Sequence, residues 1–184
     1  MEYLKKKTIW ISISVIIIVM LVLAMFFLTK KRKITYQTLI ATDGSFQIDF
    51  PTHISYETNT PENSSFVMDL YAQEEELFFY VTKIAKIREI DFSSVIHKDK
   101  ENHLKDKENL HDDSGIVPFT LENYPAYEYH FFYTDPSYGK EFYCNVLWLE
   151  TRDNFYVLNL EVASENKENV QDIFHHIKTS FIEL

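Results

Sequence analysis

The sequence predicts an α+β domain, an antiparallel sheet with packed helices, preceded by one N-terminal transmembrane helix. Three observations point there. Residues 8–28 are one uncharged apolar run. Beyond it, apolar and polar residues alternate in short segments punctuated by turn residues, the period of half-buried strands. Two stretches, after Asp91 and after Ser164, switch to the 3.6-residue period of a helix, so the order is strands, helix, meander, helix. That order belongs to an α+β chain rather than to an alternating α/β one.

The apolar run reads "TIWISISVIIIVMLVLAMFFL", 21 residues without a charge. At about 1.5 Å per residue it matches the ~30 Å hydrocarbon core of a bilayer. A cleaved signal peptide has a shorter apolar region and small residues at its cleavage site, whereas Met25-Phe26-Phe27-Leu28 lead straight into lysines. No Cys lies at the end of the run for lipid attachment, and no early acidic residue suggests a pilin. The expectation is a permanent signal anchor. Residues 1–7 are then a short cytoplasmic tail, 8–28 the span, 29–45 a basic and polar tether, and 46–184 an acidic extracytoplasmic domain.

The basic knot "LTKKRKI" at 28–34 does not settle orientation. Lys5, Lys6 and Lys7 with the amino terminus balance Lys30, Lys31, Arg32 and Lys33, so the positive-inside rule favours neither side. Long domains translocate largely regardless of charge, and a nearly cysteine-free chain suits life outside the cytosol without disulfides. These two points place the domain outside. Residues 34–184 carry 11 Lys and Arg against 27 Asp and Glu, a formal charge of −16. Nucleic acid and anionic headgroups repel such a domain. An acidic surface serves solubility, or it meets a basic protein or a cation. The single Cys144 lies in an apolar strand pattern and is expected to be a buried small side chain.

Each element follows from its local pattern. "FQIDF" alternates strictly from Phe46 to Phe50 and stops at Pro51, and "HISYE" continues it after a kink. "ETNTPENSS" is a loop whose Asn63-Ser64-Ser65 sequon has meaning only in a eukaryotic secretory route. "FVMDLYA" and "LFFYVTKIAKI" are two strands joined by the acidic turn 73–76. Asp91 is a reasonable N-cap, and Phe92, Val95, Ile96, His103, Leu104 and Leu110 form one stripe of a helix ending near 110. "IVPFTL" is a short strand. "AYEYHFFY", "KEFYCNVLWLE" and "FYVLNLEVA" form a three-strand meander over 126–163, joined by the turns "TDPSYG" and "TRDN". Ser164 caps a last helix with Val170, Ile173, Phe174 and Ile177 on one face, where Ile173 and Phe174 are expected beside Leu158 and Leu160.

The arrangement resembles the PsbP/Mog1-like family of α/β sandwich domains. The resemblance rests on "GSFQIDFP" at the start, the helix after the early strands, "YPAYEYHFFY" leading to "FYVLNLEVA", and the closing "IKTSF". It covers about residues 44–182. It implies a binding or assembly subunit, exported or membrane-tethered, with no shared catalytic residues. The uncleaved anchor departs from the lipidated Cys or targeting peptide of that family.

Motifs for chemistry are sparse. His175 and His176 are adjacent and diverge by about 100° on a helix. His97, His103 and His111 miss the i, i+4 placement of helical zinc ligands, and His53 and His130 stand apart. The acidic turns lack a calcium-loop pattern, no G-x-S-x-G occurs, and only three glycines argue against a phosphate-cradling loop. The expectation is therefore no enzyme, no cofactor and no metal. Aromatics are the stronger signal, since Tyr127, Tyr129, Tyr133 and Tyr143 crowd a meander that is apolar on both faces, with only two helices to cover it. They are the candidate partner-binding residues. The reading is a non-catalytic, membrane-tethered extracytoplasmic binding domain that contacts a protein partner. A membrane-anchored immunity or inhibitor protein against a basic toxin or enzyme is the alternative, and a hydrolase with an unrecognised site ranks third.

Overall fold

An eight-stranded antiparallel sheet organises the chain, in a computed structural model that describes Met20 and residues 34–58, 66–73, 76–87, 91–105 and 107–184. The chain divides into two units, 1–34 and Thr35–Leu184, and the fold below is that of the second. Apart from Met20, the expected span at 8–28 lies outside the described residues, as do the cytoplasmic tail and the sequon. Among the described residues no helix is long and apolar enough to cross a membrane.

The strands are β1 (Tyr36–Ile40), β2 (Phe46–Pro51), β3 (Glu57–Thr58), β4 (Phe66–Ala72) and β5 (Leu77–Ala85), then β6 (Glu108–His111), β7 (Val117–Leu121), β8 (Tyr124–Asp135), β9 (Lys140–Glu150), β10 (Asn154–Ala163) and β11 (Ile182–Glu183). Helix α1 spans Phe92–Leu104 and helix α2 spans Lys167–Thr179. The large sheet runs β3-β4-β5-β10-β9-β8-β6, with β7 also pairing the outer edge of β8. A small sheet runs β1-β2-β11. The expected meander is the centre of the large sheet, where β9 pairs both β8 and β10 over nearly its whole length. At the tip of its first hairpin Gly139 takes φ +62° and donates its N–H to the Asp135 carbonyl at 2.8 Å, a left-handed turn position that suits glycine.

Strand alternation assigns each face. One face carries Tyr129, Phe131, Tyr133, Cys144, Val146, Trp148, Phe155 and Val157, closed by Phe92, Val95, Ile96 and Leu104 of α1. The other carries Leu147, Leu149, Tyr156, Leu158, Leu160, Phe79 and Val81. The apolar stripe of α2 and the inward residues Phe46, Ile48 and Phe50 of β2 are buried with them. β9 is therefore buried at every position from Phe142 to Leu149, as a strand covered on both faces must be. Ile173, Phe174, Leu158 and Leu160 are all buried, and Phe174 and Leu160 line one small cavity.

Four local expectations differ from the structure. Residues 36–40, read as tether, form β1, paired to β2 from Tyr36↔Pro51 to Ile40↔Gln47. The strand expected at 53–57 reduces to Glu57–Thr58 pairing β4. Helix α1 stops at Leu104 rather than near 110, and the chain turns back as β6 along the outer edge of β8, Glu108 opposite Thr134 and His111 opposite Phe132. Asn109 and Asp112 take positive φ there, which these residue types tolerate, and a covered edge removes unpaired backbone groups. Ser164 does not cap α2. Ser164–Asn166 form one 3₁₀ turn first, and α2 starts at Lys167.

Candidate functional site

The distinctive chemistry sits where α1 ends over strands β5, β8, β9 and β10. Glu161 alternates inward on β10, opposite Cys144 of β9 and Phe78 of β5. A carboxylate on a sheet face is costly unless hydrogen bonds replace its water. Here Tyr80 donates its hydroxyl to Glu161 Oε1 at 2.9 Å, and Tyr133 donates to Oε2 at 2.5 Å. His103, at the last turn of α1, brings Nε2 to 3.8 Å from Oε1. Lys107, just past the helix, lies with Nζ 3.6 Å from the centre of the Tyr133 ring. Burial pushes the Glu161 carboxyl up, but His103, the Lys107 charge and the two phenol donors outweigh it and hold it at about 2. Glu161 is thus a fixed negative charge. Burial, then the Glu161 charge, pushes the Tyr80 and Tyr133 phenols up, so both stay protonated donors. Burial and the same carboxylate push the Cys144 thiol up as well.

One helical turn earlier a second carboxylate sits on the same face. Asp99 Oδ2 accepts from the Tyr129 hydroxyl at 3.1 Å and from Trp148 Nε1 at 3.3 Å. Two sheet aromatics are thereby pinned to α1. The stripe read from the sequence includes His103 but not Asp99, although the spacing Phe92, Ile96, Asp99, His103, which is i, i+4, i+7, i+11, puts Asp99 on the same face.

Donor atoms of His103, Cys144 and Glu161 lie within 4.8 Å of one another. Among the described residues these three are the group able to hold a metal ion. Doing so would require ionising a thiol that burial holds protonated and loosening the phenols that already occupy both oxygens of Glu161. As arranged, Glu161 is hydrogen-bonded by Tyr80 and Tyr133, His103 stands 3.8 Å away, and Cys144 is buried beside them.

A surface cleft of about 270 Å³ opens beside Glu161. Its acidic lining is Asp69, Asp135 and Glu161, and its walls are the rings of Phe66, Phe78, Tyr80, Tyr133, Tyr138 and Phe142. Phe78, Tyr138 and Phe142 neighbour one another at 5.7–6.2 Å between ring centres. Asp69 has its carboxyl pushed up by burial and makes no ion pair or hydrogen bond among the described residues. Asp135 Oδ1 accepts the Ser137 N–H at 2.8 Å. Among the described residues no Lys, Arg or His lines the cleft.

The four candidate tyrosines do not form one open patch. Tyr129, Tyr133 and Tyr143 are 0%, 2% and 5% exposed, and Tyr127 is half-buried, its ring edge-on to Phe92 of α1 at 5.1 Å. Tyr143 lies on the opposite face from the other three, accepting Asn145 Nδ2 at 3.2 Å with Lys167 4.6 Å over its ring. Burial disqualifies them as an exposed aromatic surface, because helix α1 and the α2 layer cover both faces of the meander. Tyr133 alone of the four also lines the cleft.

No family profile matches the chain, and no characterised protein matches it by sequence. Solved structures do match. The cyanobacterial PsbP of Synechocystis aligns with a TM-score of 0.58 at 9% identity, over 84% of this chain and 96% of the other. LpqN of Mycobacterium tuberculosis, described as involved in cell envelope biogenesis, gives 0.57 at 14%, over 83% and 92%. PA94 of Pseudomonas aeruginosa, a protein of unknown function, gives 0.53 at 10%, over 81% and 97%. Identities this low speak of fold alone. The domain is a sheet-rich antiparallel α+β fold with two helices, resembling PsbP-like folds, as the sequence resemblance implied.

Proposed function

We propose that this protein is a non-catalytic binding domain held at a membrane by its N-terminal apolar run, with the acidic domain outside the cytosol, and that it contacts a protein partner through the cleft beside Glu161. The observation that carries this reading is a cleft with a built acidic floor and aromatic walls. Buried polar groups cost free energy unless satisfied, yet three strands and α1 converge to keep Glu161 charged at its edge. The surrounding groups suit recognition better than catalysis. A carboxyl held at about 2 does not shuttle protons near neutral pH, and a thiol kept protonated by burial is a poor nucleophile. The fold neighbours support a binding role by analogy only. An immunity or inhibitor protein facing a basic toxin is the narrower form of the same reading, supported by a cleft lining that holds three acids and, among the described residues, no Lys, Arg or His.

The test uses the full-length chain in nanodiscs as bait, cross-linked to its neighbours in membranes from the native cell. Asp69→Asn with Asp135→Asn should abolish recovery of the partner that the parent chain captures. Undiminished capture by the folded double variant would remove the cleft from the interface. Orientation is tested separately, by adding protease to intact protoplasts. Degradation of the domain is expected, and full protection would put it in the cytosol.

A further inference from the structure

The cleft states what kind of group it lacks. Three carboxylates, Asp69, Asp135 and Glu161, converge on a space whose other walls are aromatic rings. The basic side chains nearby are already engaged, two of them at Glu161 and Tyr133 from outside the cleft. Lys140, across the hairpin from Asp135, is held by both oxygens of Glu76 at 2.6 and 2.8 Å. His103 and Lys107 lie against Glu161 and Tyr133 without lining the cleft. The most exposed wall, Tyr138, is 55% exposed and stands edge-on to Phe78 and Phe142, like a flap at the rim.

We propose that this cleft is the receptor for a single arginine side chain presented by the protein partner. The inference deepens the binding function proposed above and rests on it. Size is the first argument. At about 270 Å³ the space, near the lower end of the roughly 300–1,000 Å³ of small-ligand pockets, accommodates one long side chain. Shape is the second. A guanidinium is planar, stacks on aromatic faces and forks onto carboxylates, whereas an ammonium is a compact, strongly hydrated point charge. Flat ring walls match the plane, and the acidic lining matches the charge. Charge is the third. Asp69 is half-buried and unpaired among the described residues, and an arriving cation supplies the partner that the fold withholds. Glu161 already accepts from Tyr80 and Tyr133 and Asp135 lies four places away in strand order on β8, so both supply field, while Asp69 is the direct acceptor. Attraction between an aromatic face and a desolvated cation adds to both.

The probes are N-acetyl-arginine amide, its lysine and citrulline counterparts, and the free amine agmatine, titrated against the full chain in micelles by saturation-transfer NMR. Arginine amide should bind with saturation that weakens as salt is raised. Citrulline, neutral and of the same shape, should bind at least about tenfold more weakly, a difference of roughly 1.4 kcal/mol. Asp69→Asn should weaken arginine by about tenfold, and Tyr138→Ala by severalfold, while the circular dichroism spectrum of each stays that of the parent. Asp69 has no partner to lose among the described residues, so its variant is expected to fold. Equal binding of citrulline, or a folded Asp69→Asn variant that binds arginine unchanged, would overturn the inference. Much tighter binding of agmatine than of the amide would replace the partner's side chain with a free amine and overturn it too. If no probe binds while partner capture still depends on Asp69 and Asp135, the arginine inference fails and the binding function stands. If arginine binds but capture ignores both residues, the binding function fails at this cleft.

Discussion

Replacing Glu161 by Gln keeps the shape of the side chain and removes its charge, so it isolates what the buried carboxylate contributes. The folded carboxyl sits at about 2 against an ordinary 4.5. At about 1.36 kcal/mol per unit, that gap contributes roughly 3 kcal/mol to stability near neutral pH. Counting bonds reaches the same scale. Two hydrogen bonds to a charged group are worth about 1.5–3 kcal/mol each, and burial of the carboxylate cancels part of that sum. Because the folded value is depressed, the stabilisation is fully present above about 4.5 and is lost as pH falls from there toward 2. Glu161→Gln is therefore expected to cost about 3 kcal/mol at pH 7. It should cost progressively less below pH 4.5 and almost nothing once pH has fallen through about 2, where the parent side chain itself becomes protonated. Urea unfolding of the full chain in micelles, followed by near-ultraviolet circular dichroism at several pH values, measures the difference. A cost under ~1 kcal/mol at pH 7, or one that does not shrink with acid, would show that the phenols and His103 do not stabilise the charge as the geometry implies.

Other outcomes are expected from the same coordinates. Phe174, 3% exposed on the buried face of α2, should cost about 3–5 kcal/mol when cut to Ala, and a loss below ~1 kcal/mol in denaturant would make that helix peripheral. Asp99→Ala leaves the buried Tyr129 hydroxyl and Trp148 indole N–H without their acceptor, at about 1–3 kcal/mol. Its tryptophan emission should shift, and unchanged emission would separate Trp148 from α1. Cys144, fully buried with its thiol pushed up by burial, should resist iodoacetamide in the native chain and react once urea unfolds it. Rapid native labelling would contradict the two-layer cover.

Much of the architecture was legible because periodicity reports burial directly. β2, β4 and the meander β8–β9–β10 fall where alternation placed them, since a half-buried strand must alternate. The stripe of α2 is as read because a surface helix needs one apolar face. β1 was missed because "YQTLI" is mostly exposed and its partner β2 lies beyond a turn. The end of α1 was overrun because Leu110 continues the helical stripe, while the edge of β8 that draws 108–111 into a strand is distant in sequence. That the four tyrosines do not form one open patch has a single physical reason. Alternation shows that Tyr127, Tyr129 and Tyr133 share a face, but not whether a helix covers it.

By itself the sequence determined an uncharged run long enough to span a bilayer, an acidic domain, a strand-rich α+β fold and a buried Cys144. These depend on composition and on neighbours a few residues apart. Only the tertiary structure decided that α1 lies over the tyrosine face, that Glu161 meets Tyr80, Tyr133 and His103, and that Asp69 and Asp135 border one acidic, aromatic cleft. Those groups come from β4, β5, α1, β8 and β10. Strand order β4-β5-β10-β9-β8 brings them together, and a juxtaposition made by sheet pairing leaves no spacing in the chain from which to read it.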